Sequence, residues 1–423
     1  MKRLPGKIRF WLSVFLILGV AIPAAPAGSP EPADLYRQAY DHFRRAERDL
    51  QGGEPAAAVA GFRSALEAWE SLRADSPDWN PAAVEIRIKQ ADPRLREAEA
   101  RLADREAWSN PLRIHFIDVG QGDSTLVQCP DGSTILIDGG PMDAYPQLVG
   151  YLKEAGVEKI DLLIATHPDG DHIGGLLKVL ETFPIVTVVD SGKEHTTLTY
   201  QRYMEAVKGL PDTGFKLGRA GDRYVFGGVD LLIIHPGANL PSNNNDSSIV
   251  ARLTYGDVGF LFTGDAEEKA EAEMLSRGLP VRSSVLKVGH HGSKSSTSTR
   301  FLSAVSPQSA VISCGESNRW GHPTQEVMRS LKQRKIEIYR TDLQGTILML
   351  SDGKEIRLEF PGKAVYPEYP VPEESARMVI ANRVSLIYYP PESPYRSRVP
   401  PEDRVSFKTG AEAEAAGYFK SWH

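Results

Sequence analysis

Residues 162–175 read LLIATHPDGDHIGG, an apolar run that ends in a glycine-bearing polar turn. The apolar run is typical of a buried strand, and the glycines predict a turn that leads into a helix. Within six residues stand four side chains with metal-binding atoms, namely His167, Asp169, Asp171 and His172. Imidazole nitrogen and carboxylate oxygen suit Zn²⁺ or Mn²⁺, whereas capping a helix needs only one such residue. The stretch therefore predicts a metal site at the end of a strand.

Three later segments place further ligand atoms after predicted strands. Asp265 follows the run FLFT at 260–263, where its carboxylate can bridge two ions. His290 and His291 follow an apolar run that ends at Val288. The asparagines and the aspartate of NNNDSS, residues 243–248, precede another strand and can bring an oxygen ligand close to the same point. Since strand ends meet at sheet edges, the four segments together predict a two-metal site.

The alternation of strands and helices over residues 111–360 predicts one layered α/β domain. Residues 31–107 have helical periodicity throughout, with a break at Gly52-Gly53 and a helix start at Asn80-Pro81. This helical arm resembles a tetratricopeptide-type hairpin. It can dock a protein partner, or it can be an adapter that rests on the next domain.

Residues 1–27 predict a secretory signal peptide. A cationic start with two lysines and two arginines precedes an apolar run from Phe10 to Ile22, and Ala25-Pro26-Ala27 has the small-residue pattern of a cleavage site. We expect a secreted or periplasmic protein that meets the membrane only through this segment before cleavage. The alternative is an uncleaved anchor, which Pro23 disfavours because it shortens the apolar run.

Composition narrows the choice of function classes. The chain has 423 residues, 41% of them hydrophobic, which is enough to build a sizeable core. Its 49 basic and 55 acidic residues give a net charge of −6, so any contact with a polyanion requires a local patch. Cys129 and Cys314 are far apart in sequence, which excludes a disulfide framework and a thiolate zinc site.

The turn HPDGDH-x-GG resembles the HxHxDH-x-GG signature of the metallo-β-lactamase superfamily, with Asp169 in place of the second histidine. Further motifs over residues 112–352 resemble, in order, the soluble hydrolase domain of ComEC-type DNA-uptake proteins. They are DVGQGDS (118–124), LIDGG (136–140), NDSSIV (245–250), FTGD (262–265), LKVGHHGS (286–293), NRWGHP (318–323) and RTDLQGTI (340–347).

This resemblance implies an αββα sandwich and a metal-dependent hydrolase, with two divalent ions, Zn or Mn. It implies that His167 and Asp169 hold one ion and that Asp171 and His172 hold the other. Asp265 would bridge the ions, and His290 would complete the set of ligands around the second ion. Where many members of the superfamily have a histidine, this chain offers Asn245 or Asp246 as the ligand.

The residues around these motifs suggest how a phosphodiester would be handled. Asp171 can orient the attacking hydroxide, and His291 or His322 can protonate the leaving oxygen, because imidazole exchanges protons near neutral pH. The predicted substrate contacts are Asn245, Lys287, Ser293, Lys294 and Arg319, the cations among them seating a phosphate backbone.

A proline-rich linker is predicted over residues 361–377. Residues 378–423 resemble the small zinc-binding domain of the Ada DNA-repair protein but have no cysteine. We therefore expect its hairpin-and-helix shape without the metal, with a terminal helix over EAEAAGYFKSW. The resemblance suggests a DNA contact through Arg396, Arg398, Arg404 and Lys408, and a purely structural appendage is the alternative.

The sequence thus favours an exported two-metal nuclease or phosphodiesterase that acts on DNA, in keeping with a role in DNA uptake. One alternative is a small-molecule ester or phosphodiester hydrolase of the phosphocholine esterase or lactonase type. The other is a non-catalytic binding protein with a degenerate site.

Overall fold

The computed structural model describes residues 31–316, 318–362 and 368–421, and the predicted signal peptide lies outside these ranges. The chain divides into two compact units, one up to Glu106 and one from Ala107 onward. Within the described ranges, none of the helices combines the length and the hydropathy that a membrane span requires.

The first unit consists of helices in its described part, as its periodicity predicts. They are α1 (Pro32–Gln51), α2 (Pro55–Asp75) and α3 (Pro81–Ala107). Each begins with a proline, which suits the first helical position because its missing N–H has no intrahelical acceptor there. Phe43, Phe62 and Trp69 pack against one another in the shared core of the helices. The expected helical arm is confirmed.

The second unit contains two large sheets. Along the first, the strand order is β15-β14-β1-β2-β3-β4-β5-β6. Its strands are β1 (Leu112–Phe116), β2 (Thr125–Gln128), β3 (Thr134–Ile137), β4 (Ile160–Ala165), β5 (Ile185–Asp190), β6 (Gly214–Leu217), β14 (Thr346–Ser351) and β15 (Ile356–Gly362). Along the second sheet the order is β13-β12-β11-β10-β9-β8-β7. Its strands are β7 (Arg223–Phe226), β8 (Val229–His235), β9 (Val250–Tyr255), β10 (Val258–Phe262), β11 (Val285–Lys287), β12 (Ser309–Ile312) and β13 (Glu337–Arg340).

The two sheets pack face to face over a core that includes Phe116, Val127, Phe260 and Phe262. A second apolar layer covers the outer face of the first sheet with α4 (Tyr145–Glu154), α5 (Gly170–Ile173), α6 (Leu176–Thr182) and α7 (Leu198–Lys208). A third layer covers the outer face of the second sheet with α8 (Glu268–Ser276), α9 (Thr299–Val305) and α10 (Gln325–Gln333). A short helix, α11 (Thr341–Gln344), follows β13. The predicted αββα sandwich is confirmed.

Parallel pairing determines where the polar loops meet. In the first sheet β3 and β4 run parallel, and in the second β10, β11 and β12 run parallel. The carboxyl ends of parallel neighbours lie at the same edge of a sheet. The turns that follow these strands therefore gather at one end of the sandwich.

The tail forms a small third sheet with the order β18-β16-β17-β19. Its elements are β16 (Val379–Asn382), β17 (Ile387–Tyr389), β18 (Arg404–Phe407), α12 (Gly410–Ala415) and β19 (Phe419–Lys420). The prediction of a terminal helix over residues 412–422 is wrong at its end. Gly417 takes φ +90°, and a strand pairs with β17 after it.

The tail is bound to the sandwich of the second unit through a set of polar contacts, called here the polar clamp. The Tyr145 hydroxyl donates to the buried carboxylate of Asp403, and Asn382 Nδ2 donates to the Tyr145 oxygen at 3.2 Å. A guanidinium nitrogen of Arg202 donates to the backbone carbonyl of Val384 at 2.6 Å. Because these partners come from both sides of the predicted linker, the tail is part of the same folded body.

Two arginines of the tail bind backbone carbonyls within the chain itself. Arg396 is buried and donates to four backbone carbonyls, those of Ser375, Ala376, Met378 and Pro391. Arg404 donates to the carbonyls of Tyr369, Pro370 and Val399. Tyr369 and Pro370 belong to the predicted linker, which is fixed to the tail here. Both guanidinium groups are thus bound to backbone carbonyls of the chain itself, which corrects their expected role in a DNA contact.

We predict that Asp403→Ala destabilises the tail by about 2 kcal/mol, because it leaves the buried Tyr145 hydroxyl without its acceptor. The measurement is the rate of limited proteolysis between residues 368 and 421, followed by mass spectrometry. Glu402→Ala, at the exposed neighbouring position, is the matched control. Equal cleavage rates for the two variants would show that the clamp does not hold the tail.

Candidate metal centre

Four strand ends supply the polar residues of the site. Asp138 follows β3, the turn with His167 follows β4, Asp265 follows β10, and the histidine pair follows β11. Glycines allow these turns to approach one another. Gly264 has φ +50°, and an added Cβ there would meet the Cβ of Thr166 at 3.1 Å. The side chain types and the tight turns together create a compact polar cluster.

Asp265 lies at the centre of this cluster. It is 3% exposed, and its Oδ1 lies 3.3 Å from His172 Nε2. Its Oδ2 lies 3.9 Å from His167 Nε2 and 3.6 Å from His291 Nε2. One carboxylate thus faces three imidazoles with its two oxygens, the arrangement that a bridging ligand requires.

The ligand atoms divide into overlapping groups. His167, His172 and Asp265 form one, and Asp171, His172 and His291 form another, each with ligand atoms within 4.8 Å of one another. Asp123 joins Asp265 and His291 in a third group and Asp138 and His172 in a fourth. Asp169 lies at the border, with Oδ2 3.7 Å from His167 Nε2.

Several atoms at the centre are buried and lack a hydrogen-bond partner within the described residues. They are Nε2 of His167, His172 and His291, together with Asp265 Oδ1 and Asp123 Oδ1. Leaving a buried polar atom unpaired costs about 1–3 kcal/mol, more for a charged group, so a set of five at one point calls for a ligand. Divalent cations bind imidazole nitrogen and carboxylate oxygen. The residues therefore fit a metal centre.

The charged side chains of the site form a dense network of ion pairs. Burial disfavours the imidazolium form of His291, but the charges of Asp265 and Asp123 outweigh it and raise the pKa to about 10. Burial also opposes protonation of His172, yet Asp265 and Asp138 raise its pKa well above the ordinary value. Burial favours the neutral acid of Asp265, but His291 and His172 hold its pKa well below the usual range.

Two supporting contacts hold the ligands in place. Asp138 accepts hydrogen bonds from the backbone N–H and the hydroxyl of Thr166, and His172 Nδ1 lies 2.8 Å from its Oδ2. Such a contact fixes the imidazole with Nε2 toward the centre. On the other side, the buried Lys287 ammonium lies 2.7 Å from Asp123 Oδ2, and His291 Nδ1 lies 3.2 Å from Asp123 Oδ1.

The two adjacent histidines occupy unusual backbone positions. His290 has φ +49° and His291 has φ +55°, both in the left-handed region that non-glycine residues seldom adopt. Such strain is concentrated at functional sites. It turns the rings in different directions, since the His291 side chain is 2% exposed and that of His290 is 24% exposed.

Comparison with known proteins agrees with this geometry. Residues 117–316, which include nearly all of the residues described above, match the family model of the metallo-β-lactamase superfamily. The central domain is a metallo-β-lactamase domain. The resemblance inferred from HPDGDH-x-GG is confirmed.

Two curated relatives match a little over half of this chain. ComE operon protein 3 of Bacillus subtilis is 31% identical over 256 residues, which cover 56% of this chain and 33% of that protein. Competence protein ComA of Neisseria gonorrhoeae is 33% identical over 239 residues, 56% of this chain and 32% of that protein. A solved metallo-β-lactamase from Hirschia baltica is 17% identical at a TM-score of 0.28, covering 42% of this chain and 85% of that one. The chain spans about a third of the length of these two relatives.

The metallo-β-lactamase domain brings together most of the predicted ligands, namely His167, Asp169, Asp171, His172, Asp265 and His290. The last of these stands apart from the compact groups. His290 Nε2 is 3.8 Å from Asp265 Oδ2, and its Nδ1 is 3.2 Å from Glu267 Oε1. His291, predicted as a proton donor, is instead the buried neighbour of Asp171, with 3.3 Å between His291 Nε2 and Asp171 Oδ2.

The prediction that Asp246 binds a metal is corrected. Its Oδ1 accepts hydrogen bonds from the backbone N–H groups of Glu267 and Ala270, at 3.2 and 3.4 Å. These donors belong to the start of α8, where amides have no intrahelical acceptor. The buried carboxylate of Asp246 is therefore used to cap a helix, and Asn245 contacts Glu267 and His290 through its Nδ2 at 3.2 and 3.4 Å.

The predicted substrate contacts differ in exposure. Lys287 is 2% exposed and paired with Asp123, so its expected contact with a phosphate backbone is corrected to a structural ion pair. Ser293 is buried and its hydroxyl lies 3.0 Å from that of Ser295. Lys294 and Arg319 are exposed.

His322, predicted as an alternative proton donor, is partly buried, with its ring centroid 5.5 Å from that of His290. Burial and the charges of His291 and His290 lower its pKa to about 4.

Sequence reasoning did not assign a role to Asp123 or Asp138. Both stand in motifs quoted above, DVGQGDS and LIDGG, and Asp138 directly follows a strand. The position after a strand was the signal that identified Asp265, and it would have identified Asp138 as well. Asn244 also reaches the site, since its Nδ2 donates to Asp169 Oδ1 at 2.9 Å.

We predict that Asp138→Asn weakens the binding of Mn²⁺ or Zn²⁺ about 10- to 100-fold, because the amide no longer fixes His172 through a charged acceptor. The measurement is metal titration against a chelating indicator dye. Asp212→Asn, on the exposed surface of the same unit, is the control. Unchanged metal affinity in Asp138→Asn would show that Asp138 does not orient His172 for metal binding.

We also predict that metal binding at pH 7 releases protons and strengthens as the pH rises. The pKa of His291 is raised to about 10 in the metal-free site, so this imidazole is protonated at neutral pH and the ion must displace its proton. Calorimetric titration with Zn²⁺ in buffers of different ionisation enthalpy measures the number of protons. His42→Ala, in the first unit, is the control, and a binding enthalpy that is the same in every buffer would contradict the prediction.

Proposed function

We propose that this protein is a two-metal phosphodiesterase whose substrate is DNA. The observation that carries the proposal is the position of Asp265, whose two oxygens face His172 on one side and His167 and His291 on the other. A shared carboxylate between two sets of ligands is the arrangement of sites that hold two ions for in-line displacement at phosphorus.

Each ion has its own set of ligands in this proposal. His167 and Asp169 would hold the first, Asp171, His172 and His291 the second, and Asp265 both. His291 replaces His290 in the set that the sequence suggested, because its Nε2 is buried, unpaired and close to Asp171. When bound, the divalent ions lower the pKa of water and neutralise charge on phosphoryl oxygens.

The protein's own residues orient the attacking water and the leaving oxygen. The carboxylate of Asp171 is positioned to accept a hydrogen bond from the attacking water, since its side chain is one-third exposed at the mouth of the cluster. His290, more exposed than His291, is held by Glu267 and Ser295 with Nε2 toward the centre. It can pass a proton to the leaving oxygen, the role that the sequence suggested for His291 or His322.

DNA is the proposed substrate because one relative over this domain is named as a competence protein, in keeping with the resemblance to ComEC-type DNA-uptake proteins. In the proposed function the domain acts on DNA outside the cytoplasm. The predicted signal peptide supplies that location, and we propose that the mature protein is secreted or periplasmic. We also propose that the helical arm docks a protein partner.

The proposal predicts that Asp265→Ala loses at least 10³-fold in turnover and binds less than one ion per chain. The change removes the shared ligand and no apolar packing, so the variant should remain folded by circular dichroism. The assays are hydrolysis of bis-p-nitrophenyl phosphate and of single- and double-stranded DNA with added Mn²⁺ or Zn²⁺, together with metal analysis. Asp257→Ala, at the turn between β9 and β10, is the control.

The outcomes separate the candidate functions. Two ions per chain with DNA cleavage support the proposal. Cleavage of the small diester alone favours a small-molecule phosphodiesterase, and a folded protein with no ion and no turnover favours a binding protein. Parental activity in Asp265→Ala would overturn the two-metal assignment.

A further inference from the structure

A short turn over residues 318–322 stands beside the metal centre. Asn318 closes it, because Nδ2 donates to the carbonyls of Gly315 and His322, at 2.9 and 2.6 Å, and Oδ1 accepts from the His322 N–H at 2.9 Å. A turn that one amide side chain ties at both ends has little conformational freedom. It therefore presents its two central side chains, Arg319 and Trp320, in a fixed place.

The same turn is fastened to the histidine segment of the site. The backbone N–H and the hydroxyl of Thr324 both donate to the carbonyl of Gly292, at 2.9 and 3.0 Å. Gly292 has φ +86°, and an added Cβ there would meet the Cβ of Pro323 at 2.6 Å. The His322 ring lies 5.5 Å from His290 and 6.4 Å from His291, centroid to centroid. The turn thus forms one wall of the site.

Trp320 is the exposed member of this turn. Its side chain is 52% exposed, whereas Trp69 is fully buried and Trp79 and Trp108 are partly buried. Among the tryptophans within residues 31–316, 318–362 and 368–421, it alone is more than a third exposed. The Arg319 guanidinium carbon lies 4.5 Å from the centroid of its ring. An indole kept at the surface beside a polar site, with a cation over it, is available for stacking.

We propose that Arg319 and Trp320 form a nucleobase-stacking platform that makes single-stranded nucleic acid the preferred substrate. This inference rests on the proposed phosphodiesterase function. Bases stack on exposed aromatic rings without regard to sequence, and an arginine at the ring adds a cation–π contribution and a positive charge for the backbone. In a duplex the bases are already paired and stacked, so the platform engages only an unpaired strand.

The location suits a substrate that is cleaved nearby. His322 comes two positions after Trp320 in the chain, a backbone span of at most about 7 Å. A base on the indole therefore belongs to a nucleotide close to the phosphodiester at the metal centre. The platform would hold the strand in register while the site acts on its backbone, and its contribution would appear in substrate affinity more than in the chemical step.

The test compares the full chain with Trp320→Ala, Trp320→Phe and Phe215→Ala, the last an exposed aromatic on the edge strand β6. The substrates are a labelled single-stranded oligonucleotide, its duplex, a base-free strand of the same length and bis-p-nitrophenyl phosphate. We expect Trp320→Ala to raise KM for the single strand about tenfold, the equivalent of about 1.4 kcal/mol of stacking. Trp320→Phe should recover most of this loss, and Phe215→Ala should match the parent.

The base-free strand distinguishes stacking from a general structural effect. It has nothing to stack, so the parent and Trp320→Ala should have similar KM values for it. A KM for the normal single strand within twofold of the parent, or an equal loss on the base-free strand, would overturn the platform alone. If the parent hydrolyses bis-p-nitrophenyl phosphate but neither binds nor cleaves any oligonucleotide, the DNA substrate of the proposed function fails as well.

Discussion

The buried carboxylate of Asp265 is the group on which the site depends. A charge removed from water is stable only when opposite charges or a metal compensate for it. Here two sheets contribute the compensating groups, because His167 and His172 follow a strand of the first sheet and His291 follows a strand of the second. The sandwich must therefore keep both sheet edges in register, and the apolar core between them provides the required rigidity.

Further pairs of opposite charges surround Asp265 and its histidines. Asp138 holds His172, and Asp123 lies between His291 and the ammonium of Lys287. The charge of Lys287 opposes the effect of burial and lowers the pKa of Asp123. His172 and His291 are thus each oriented by a buried carboxylate. The groups that can meet a substrate, Asp171, His290 and the turn with Trp320, lie outside this inner set.

Much of this arrangement could be predicted from the sequence, since strand ends and the four-ligand turn are visible in it. The sequence could not tell whether His290 or His291 is the buried ligand, because the two residues are adjacent and follow the same strand. The left-handed backbone at both positions turns the His291 ring inward and leaves the His290 ring more exposed. The role of Asp246 depends on a helix that begins twenty-two residues later in the chain. Lys287 ends a strand, and a sequence does not tell whether a strand-end cation faces solvent or a buried acid.

The clamp between Tyr145 and the tail affects how this chain can be divided. Tyr145 begins α4, and the turn before it is packed so tightly against Gly174 that no side chain would fit there. Removal of the residues after β15 would uncover the Tyr145 hydroxyl and release Arg202 from Val384, beside the glycines that support the ligand-bearing turn. The sandwich is therefore not an independent folding unit that ends at β15. Any shortened, fused or recombined version of it has to supply a new surface in place of the tail.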